Sequence, residues 1–191
     1  YNMSTDIFVV DTQWLIERLE EEAQKEHPEK LRYVLRDLAA ESGAFAYEYT
    51  GYLANIHSVQ TYYQANIDML DLHKFYSLFS PNQKIHTKVK NEEPTYYAPG
   101  CEVNTSQFAS GSIVEGKVVR SVVSRNVQIH KDSLVKESIV FPRVVIGEGA
   151  QVEYAIIDKG AEVADGVVIR GTAENPVVIK KGEKVTEDIF S

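Results

Sequence analysis

The sequence has almost no cysteine and no long apolar run. Cys101 is the one cysteine among its 191 residues, so no disulfide can form within the chain. The longest apolar stretches, such as Ile7–Val10 and Val144–Ile146, fall far short of the roughly 20 residues that a membrane helix needs. No basic segment followed by an apolar segment opens the sequence. We therefore expect a cytoplasmic protein without a membrane anchor.

Positive charge is also in deficit. The 20 lysines and arginines are outnumbered by 28 acidic residues, which gives a formal net charge of -8. An acidic chain of this kind repels phosphate backbones and anionic lipid headgroups. Nucleic acid and membrane surfaces are therefore not expected partners.

Residues 1–75 show the mixed pattern of an α/β domain. Ile7–Val10 predicts a strand, and helices are predicted from Gln13 to about Glu26 and from about Glu29 to Glu41. A short strand is predicted at Phe45–Tyr49. Since the first strand has no partner before it, and the sequence does not begin with methionine, we expect a piece of a larger α/β domain.

A third helix is predicted after Ser58, which is a suitable N-cap residue. Its apolar face consists of Val59, Tyr62, Tyr63, Ile67 and Leu70. We expect the two tyrosines of this face to be ordinary core residues. Residues 76–100 then lose all periodicity and contain three prolines, which indicates a linker. The remaining domain is expected over residues 101–191.

This last domain repeats itself every 17 residues. The rows begin at Ser121, Ser138 and Ala155, and within each row aliphatic residues are spaced six, six and five apart. The three aligned columns are Val123, Val140 and Ile157; Ile129, Ile146 and Val163; and Val135, Val152 and Ile169. Two residues before each of these nine lies a small or β-branched residue, as expected if both members of the pair point inward from a short strand.

Such a repeat predicts a mainly β fold, a parallel β-helix of hexapeptide repeats. A sandwich is disfavoured because six residues leave no room for hairpin turns. Phe108 and Val114 predict an incomplete first coil, and Ile179 and Val185 continue the pattern after an insertion at Thr172–Pro176. The left-handed sense of the helix is what known hexapeptide families imply.

The β-helix alone does not decide the function. A zinc site of the trimeric carbonic anhydrase kind needs three histidines, and this domain has only His130. An acyltransferase needs a histidine base, for which His130 is the one candidate. No glycine-rich phosphate loop is present, because Gly147 and Gly149 lie within a repeat turn.

The segment between the two halves is more specific. Gly51–Ser58, followed by Tyr62–Leu70, resembles the Gly-Tyr-Trp-x-Asp-Ile-Gly-Thr segment and the next helix of ADP-glucose pyrophosphorylases (glucose-1-phosphate adenylyltransferases). Met3–Val10 is similar to a strand of that family, Ile85–Pro94 to its linker, and Ser121–Ile169 to its β-helix. The resemblance implies a left-handed β-helix after the remnant of a nucleotidyltransferase domain.

Several residues depart from the catalytic pattern of this family. Asn55 occupies the position of the aspartate that holds Mg²⁺ in catalytic members, and a neutral amide brings no charge to hold the cation. Leu53 replaces the tryptophan, His57 and Ser58 replace Gly-Thr, and Ser4 and Asp6 alter the strand beside the sugar pocket. We therefore expect no catalytic residue, no bound cofactor and no metal site in this chain.

This combination resembles the non-catalytic, GlgD-type subunit of the family. The resemblance implies a regulatory role in ADP-glucose synthesis from ATP and glucose 1-phosphate for glycogen biosynthesis. It also implies a heterotetramer with the catalytic subunit, which uses Mg²⁺, and sugar-phosphate or nucleotide effectors. Whether the chain is itself an enzyme stays open. A free hexapeptide acyltransferase and a purely structural assembly module are the alternatives.

Overall fold

The computed structural model describes residues 5, 7–41, 43–80, 82, 85–88 and 90–191. The chain divides into two compact units, Tyr1–Thr50 and Gly51–Ser191. Ser4 and Asp6, the expected departures beside the sugar pocket, lie outside the described residues. Met3, at the start of the segment that resembles a family strand, lies outside them as well.

The first unit contains two helices, α1 (Thr12–Ala23) and α2 (Leu31–Glu41). The carboxylate of Asp11 caps α1 by accepting a 2.9 Å hydrogen bond from the backbone amide of Trp14. Both predicted helices are confirmed, although α1 ends three residues before the predicted position.

The two strands predicted in this unit are wrong. Neither 7–10 nor 45–49 is a strand, and the side chains of Val9 and Phe45 are fully exposed. Tyr47 is also 91% exposed. An alternating or apolar pattern creates a strand only where another strand supplies hydrogen bonds, and the described part of this unit supplies none.

The second unit begins with helix α3 (Val59–Ile67), a 3₁₀ turn (Asp68–Leu70) and helix α4 (Leu72–Leu78). Ser58 caps α3 as predicted, and its hydroxyl accepts a hydrogen bond from the amide of Thr61. Helix α4 is not predicted by the sequence pattern. Asp71 caps it by accepting a 2.8 Å hydrogen bond from the amide of His73.

Seventeen short strands follow. In chain order, β1 to β17 are Tyr96–Tyr97, Glu102–Asn104, Gln107–Phe108, Ile113–Val114, Lys117–Val119, Val122–Val123, Gln128–Ile129, Leu134–Lys136, Ile139–Val140, Val145–Ile146, Gln151–Glu153, Ala155–Ile157, Glu162–Val163, Val168–Arg170, Val177–Ile179, Lys184–Val185 and Ile189–Phe190. All pairings are parallel, and each strand pairs with the third strand before it and the third strand after it, except that the first three and last three strands have one neighbour each. The predicted parallel β-helix is confirmed, with about six turns.

The strands form three parallel sheets. Sheet A is β1-β4-β7-β10-β13-β16, sheet B is β2-β5-β8-β11-β14-β17, and sheet C is β3-β6-β9-β12-β15. The predicted columns are confirmed, because Val123 pairs with Val140 and Val140 with Ile157. The other two columns are equally in register. All nine aliphatic residues and their nine small companions are at most 5% exposed.

The coils turn at corners where the backbone is left-handed. One corner column contains Asn126, Arg143 and Gly160, whose φ angles are 56°, 62° and 69°. Left-handed backbone costs a residue with a Cβ about 1 kcal/mol or more, and glycine avoids that cost. The left-handed backbone at this corner is therefore strained at Asn126 and Arg143 and unstrained at Gly160.

Serine hydroxyls join successive coils at the edge of sheet C. The hydroxyl of Ser138 donates a 2.8 Å hydrogen bond to the Lys136 carbonyl and accepts a 3.1 Å bond from the amide of Ala155, one coil later. Ser121 makes the equivalent bonds to Val119 and Ser138. The small inward residue therefore also satisfies buried backbone groups.

Helix α3 covers the outer face of sheet C. Tyr63 and Ile67 pack against Ile139 and Ile156, and all four are at most 6% exposed. The expectation that the tyrosines are core is confirmed for Tyr63. This packing fixes the position of the segment that precedes α3.

Candidate functional site

The segment Gly51–Ser58 contains the predicted departure at Asn55. Residues 52–57 have no regular secondary structure, and the side chain of Asn55 is exposed. Its amide makes no hydrogen bond with a residue that the structure describes. Asn55 is therefore presented to solvent on an open segment.

The residues described in the structure do not suit a magnesium site at Asn55. Among them, no group of three His, Cys, Asp or Glu side chains is arranged to hold a metal ion. Mg²⁺ prefers an octahedral set of oxygen ligands that includes one or two carboxylates, whereas Asn55 offers a single neutral oxygen. The absence of a metal site and of catalytic residues stays a prediction.

Asp68, at the C-terminus of α3, is the centre of a hydrogen-bond network. Its Oδ2 accepts a 3.0 Å bond from the Tyr52 hydroxyl. Its Oδ1 accepts bonds of 2.9 Å from Gln64 Nε2 and 2.7 Å from Lys74 Nζ. One carboxylate therefore joins the segment 51–58 to α3 and α4.

This network changes the titration of its members. Burial acts to raise the pKa of Asp68, but the hydrogen bonds from Lys74, Gln64 and Tyr52 outweigh it, so the pKa is lowered. Burial and the hydrogen bond to Asp68 raise the pKa of Tyr52 to about 12. At neutral pH the carboxylate is charged and the phenol is neutral, which is the pairing that this hydrogen bond requires.

Two further bonds join these helices to the β-helix. The hydroxyl of Tyr63 donates a 2.7 Å hydrogen bond to the carbonyl of Glu137, in the corner between β8 and β9. Gln107 Nε2, on β3, donates a 2.6 Å bond to the carbonyl of Met69. Asp68 therefore lies between Tyr63 and Met69, each of which is hydrogen-bonded to the β-helix.

A small groove lies beside the network. It has a volume of about 270 Å³ and is lined by Gln64, Ile67, Asp68, Leu70, Asp71, Lys74 and Arg120. Its two cations are already paired, Lys74 with Asp68 and Arg120 with Glu137 at 2.6 Å. The groove therefore offers no surplus positive charge for an anion.

The sequence pattern does not predict this network. Tyr52 and Asp68 both lie within the segments that resemble the family, but residue type alone does not show that they are in contact. The apolar outward positions Ile139 and Ile156 are a signal that could have been recognised. Outward residues of a coil are normally polar, so two isoleucines in one column indicate a covering element.

His130, the one candidate base of the acyltransferase alternative, lies in the corner after β7. Its Nδ1 is 3.3 Å from Glu115 Oε2, and its side chain is 42% exposed. A histidine that a carboxylate orients is an arrangement found in general bases, but it is also common between surface side chains.

The described residues contain no helix that is both long enough and apolar enough to cross a bilayer.

Comparison with known proteins gives a consistent result. Residues 93–188, half of the chain, match the family described as "GlmU-like, C-terminal hexapeptide". The "Glycogen biosynthesis protein GlgD" of Bacillus subtilis is 34% identical over 71% of this chain and 40% of its own length. The "Glucose-1-phosphate adenylyltransferase" of Corynebacterium jeikeium is 28% identical over 92% of this chain and 48% of its own.

A further glucose-1-phosphate adenylyltransferase, from Bacillus mycoides, is 31% identical over 72% of this chain and 37% of its own length. The chain thus spans less than half the length of these three relatives. The resemblance inferred from Gly51–Ser58 and the repeats is confirmed: the chain belongs to the GlmU-like, C-terminal hexapeptide family and is a GlgD-like C-terminal part of the ADP-glucose pyrophosphorylase family.

Proposed function

We propose that this chain is the C-terminal part of a regulatory, non-catalytic subunit of glucose-1-phosphate adenylyltransferase. In this role it modulates the formation of ADP-glucose from ATP and glucose 1-phosphate for glycogen biosynthesis. The relatives named for glycogen biosynthesis and for adenylyl transfer support the pathway. The subunit acts in the cytoplasm.

One observation carries the non-catalytic part of the proposal. Asn55 occupies the position at which the family's catalytic members hold Mg²⁺ through an aspartate, and here it is an exposed neutral amide. Without that charge, the phosphates of a nucleotide would lose the cation that neutralises them during transfer. The chain then contributes through contact with a catalytic subunit in a heterotetramer, with sugar-phosphate or nucleotide effectors as further ligands.

The experiment measures ADP-glucose formation from ATP, glucose 1-phosphate and Mg²⁺ by the longer subunit that carries this chain. Alone, the subunit is expected to show no turnover, and addition of the catalytic subunit is expected to give a rate that differs from the catalytic subunit's own. Gln60→Ala, at an exposed position of α3, is the control for Asn55→Ala. Robust turnover by the subunit alone that Asn55→Ala abolishes and Gln60→Ala spares would overturn the proposal.

The His130–Glu115 pair favours one alternative, a hexapeptide acyltransferase. This activity requires an acyl-CoA-dependent product that His130→Ala abolishes. We expect no such product, because an ion pair between an exposed histidine and a carboxylate is also common on surfaces without catalytic activity.

A further inference from the structure

We propose that Asp68 is a positioning residue that fixes the segment Gly51–His57, and with it Asn55, onto the β-helix. The inference rests on the proposed function, since it concerns the segment that would hold the metal in a catalytic relative. It adds the route by which the β-helix controls that segment.

The segment is anchored at both ends. At its C-terminal end, the amide of His57 donates a 3.0 Å hydrogen bond to the hydroxyl of Thr61, within the capping box of α3. Toward its N-terminal end, the hydroxyl of Tyr52 is 3.0 Å from Asp68. Residues 53–56 form a short arc between these two anchors, so loss of either anchor frees Asn55.

Asp68 is suited to this role because several neighbouring groups hold its side chain. Its side chain is 17% exposed, and Lys74 and Gln64 hold its second oxygen. The adjacent residue, Met69, is bonded through its carbonyl to Gln107 of the β-helix. A change in the packing of sheet C therefore reaches Asn55 through a few directly bonded groups.

The first test measures backbone order in residues 53–56 by ¹⁵N relaxation on the 191-residue chain. Tyr52→Phe removes only the hydroxyl that reaches Asp68, and we expect the order parameters of the arc to fall from about 0.85 to below about 0.6. Tyr76→Phe is the matched control, because the side chain of Tyr76 on α4 is 58% exposed. It should leave the arc unchanged. Unchanged order in Tyr52→Phe would overturn the proposal.

The second test reads the contact directly. Burial first and then Asp68 raise the pKa of Tyr52 to about 12, and Asp68→Asn removes only the charge of Asp68. The pKa of Tyr52, followed by NMR of labelled tyrosine, should therefore fall part of the way toward 10. Asp71→Asn is the matched control, since asparagine still caps α4 and does not face Tyr52. An unchanged Tyr52 pKa in Asp68→Asn would show that the two groups do not touch, and the proposal would fail.

Both readouts are made on the chain alone and do not depend on ADP-glucose formation. Both proposals are supported if residues 53–56 are rigid in the parent chain and the subunit alone forms no ADP-glucose. A disordered arc in the parent chain would overturn the positioning role and leave the regulatory function standing. Turnover that depends on Asn55 would overturn the regulatory function and leave the positioning role standing.

Discussion

The hydroxyl of Tyr63 donates a 2.7 Å hydrogen bond to the backbone carbonyl of Glu137, 74 positions later in the sequence. This bond joins helix α3 to the corner between β8 and β9. The ring of Tyr63 is 2% exposed and lies on Ile139 and Ile156. The α-helical segment and the β-helix of Gly51–Ser191 therefore share one apolar interface with a polar bond at its edge.

Removal of this hydroxyl should destabilise the unit. Tyr63→Phe keeps the ring but leaves the Glu137 carbonyl without this donor, so we expect a loss of about 0.5–1.5 kcal/mol in the free energy of unfolding. Tyr62→Phe is the control, because the Tyr62 hydroxyl makes no hydrogen bond with a described residue. Urea unfolding followed by circular dichroism gives both values. Equal stability of the two variants would contradict the bond.

The same variant should change the alkaline limit of stability. Burial, followed by the nearby charge of Glu137, raises the pKa of Tyr63. An unfolded tyrosine loses its proton near pH 10, so the folded chain retains a proton that the unfolded chain has lost, and stability falls as the pH rises above about 10. In Tyr63→Phe this part of the decline should disappear.

The repeat could be predicted in detail because its cause is local in the sequence. An inward residue must be aliphatic in every coil, and a 17-residue period repeats it in register, so the sequence alone predicts that Val123, Val140 and Ile157 form one column, as their pairing shows. The first coil was harder to predict. Phe108 and Val123 are 15 residues apart, whereas Val118 and Val135 are 17 apart, so a shortened corner displaces part of the pattern.

The wrongly predicted strands of the first unit and the network around Asp68 both depend on contacts that a local sequence pattern does not encode. Phe45–Tyr49 alternates as a strand does, but a strand forms only against a partner. The contact between Tyr52 and Asp68 depends on the direction in which the segment turns before α3. No periodic pattern of residues encodes that turn. The resemblance of these segments to a known family identifies the residues but not the contact between them.

Loss of a serine at the edge of sheet C should cost more than loss of an ordinary serine. Ser138→Ala leaves the buried amide of Ala155 without its acceptor, for which we expect a cost of about 1–3 kcal/mol. Ser124→Ala is the control, because the half-buried Ser124 hydroxyl makes no hydrogen bond with a described residue. Thermal unfolding of both variants measures the difference. A Ser138→Ala variant as stable as Ser124→Ala would show that the amide finds another acceptor.

Two substitutions in one corner column should change stability in opposite directions. Arg143 has a φ angle of 62°, and its exposed guanidinium makes no ion pair with a described residue. Arg143→Gly should therefore stabilise the chain by about 0.5–1 kcal/mol. Gly160→Ala, one coil later at φ 69° in open space, should destabilise it by about 1–2 kcal/mol. Urea unfolding tests both, and shifts of the same sign would contradict the strain argument.

The ion pairs on sheet B should contribute to acid sensitivity. Glu153 lies between Lys136 and Arg170, at 3.2 and 2.9 Å. Burial acts to raise its pKa, but the two cations outweigh burial and lower it. A lowered folded-state pKa means that the stabilisation is present above the unfolded value near 4.5 and is lost as the pH falls through the folded value.

Glu153→Gln should therefore cost up to about 1 kcal/mol at pH 7 and little at pH 3. Glu174→Gln, at an exposed residue that forms no ion pair with a described residue, is the control. Unfolding in urea across this pH range measures the difference between the variants. A cost for Glu153→Gln that is the same at both pH values would show that the carboxylate does not depend on its charge.

Exposed aromatic side chains in the first unit should make the chain associate with itself. Phe45 and Tyr47 are 102% and 91% exposed and lie two residues apart on one segment, so together they present an apolar patch to solvent. Substitution of both by serine should lower the weight-average mass measured by light scattering. Tyr76→Ser, which removes a single exposed aromatic from α4, should leave that mass unchanged. A parent chain that is already monomeric, or an equal mass in the double variant, would contradict association through this segment and would weaken the alternative of a structural assembly module.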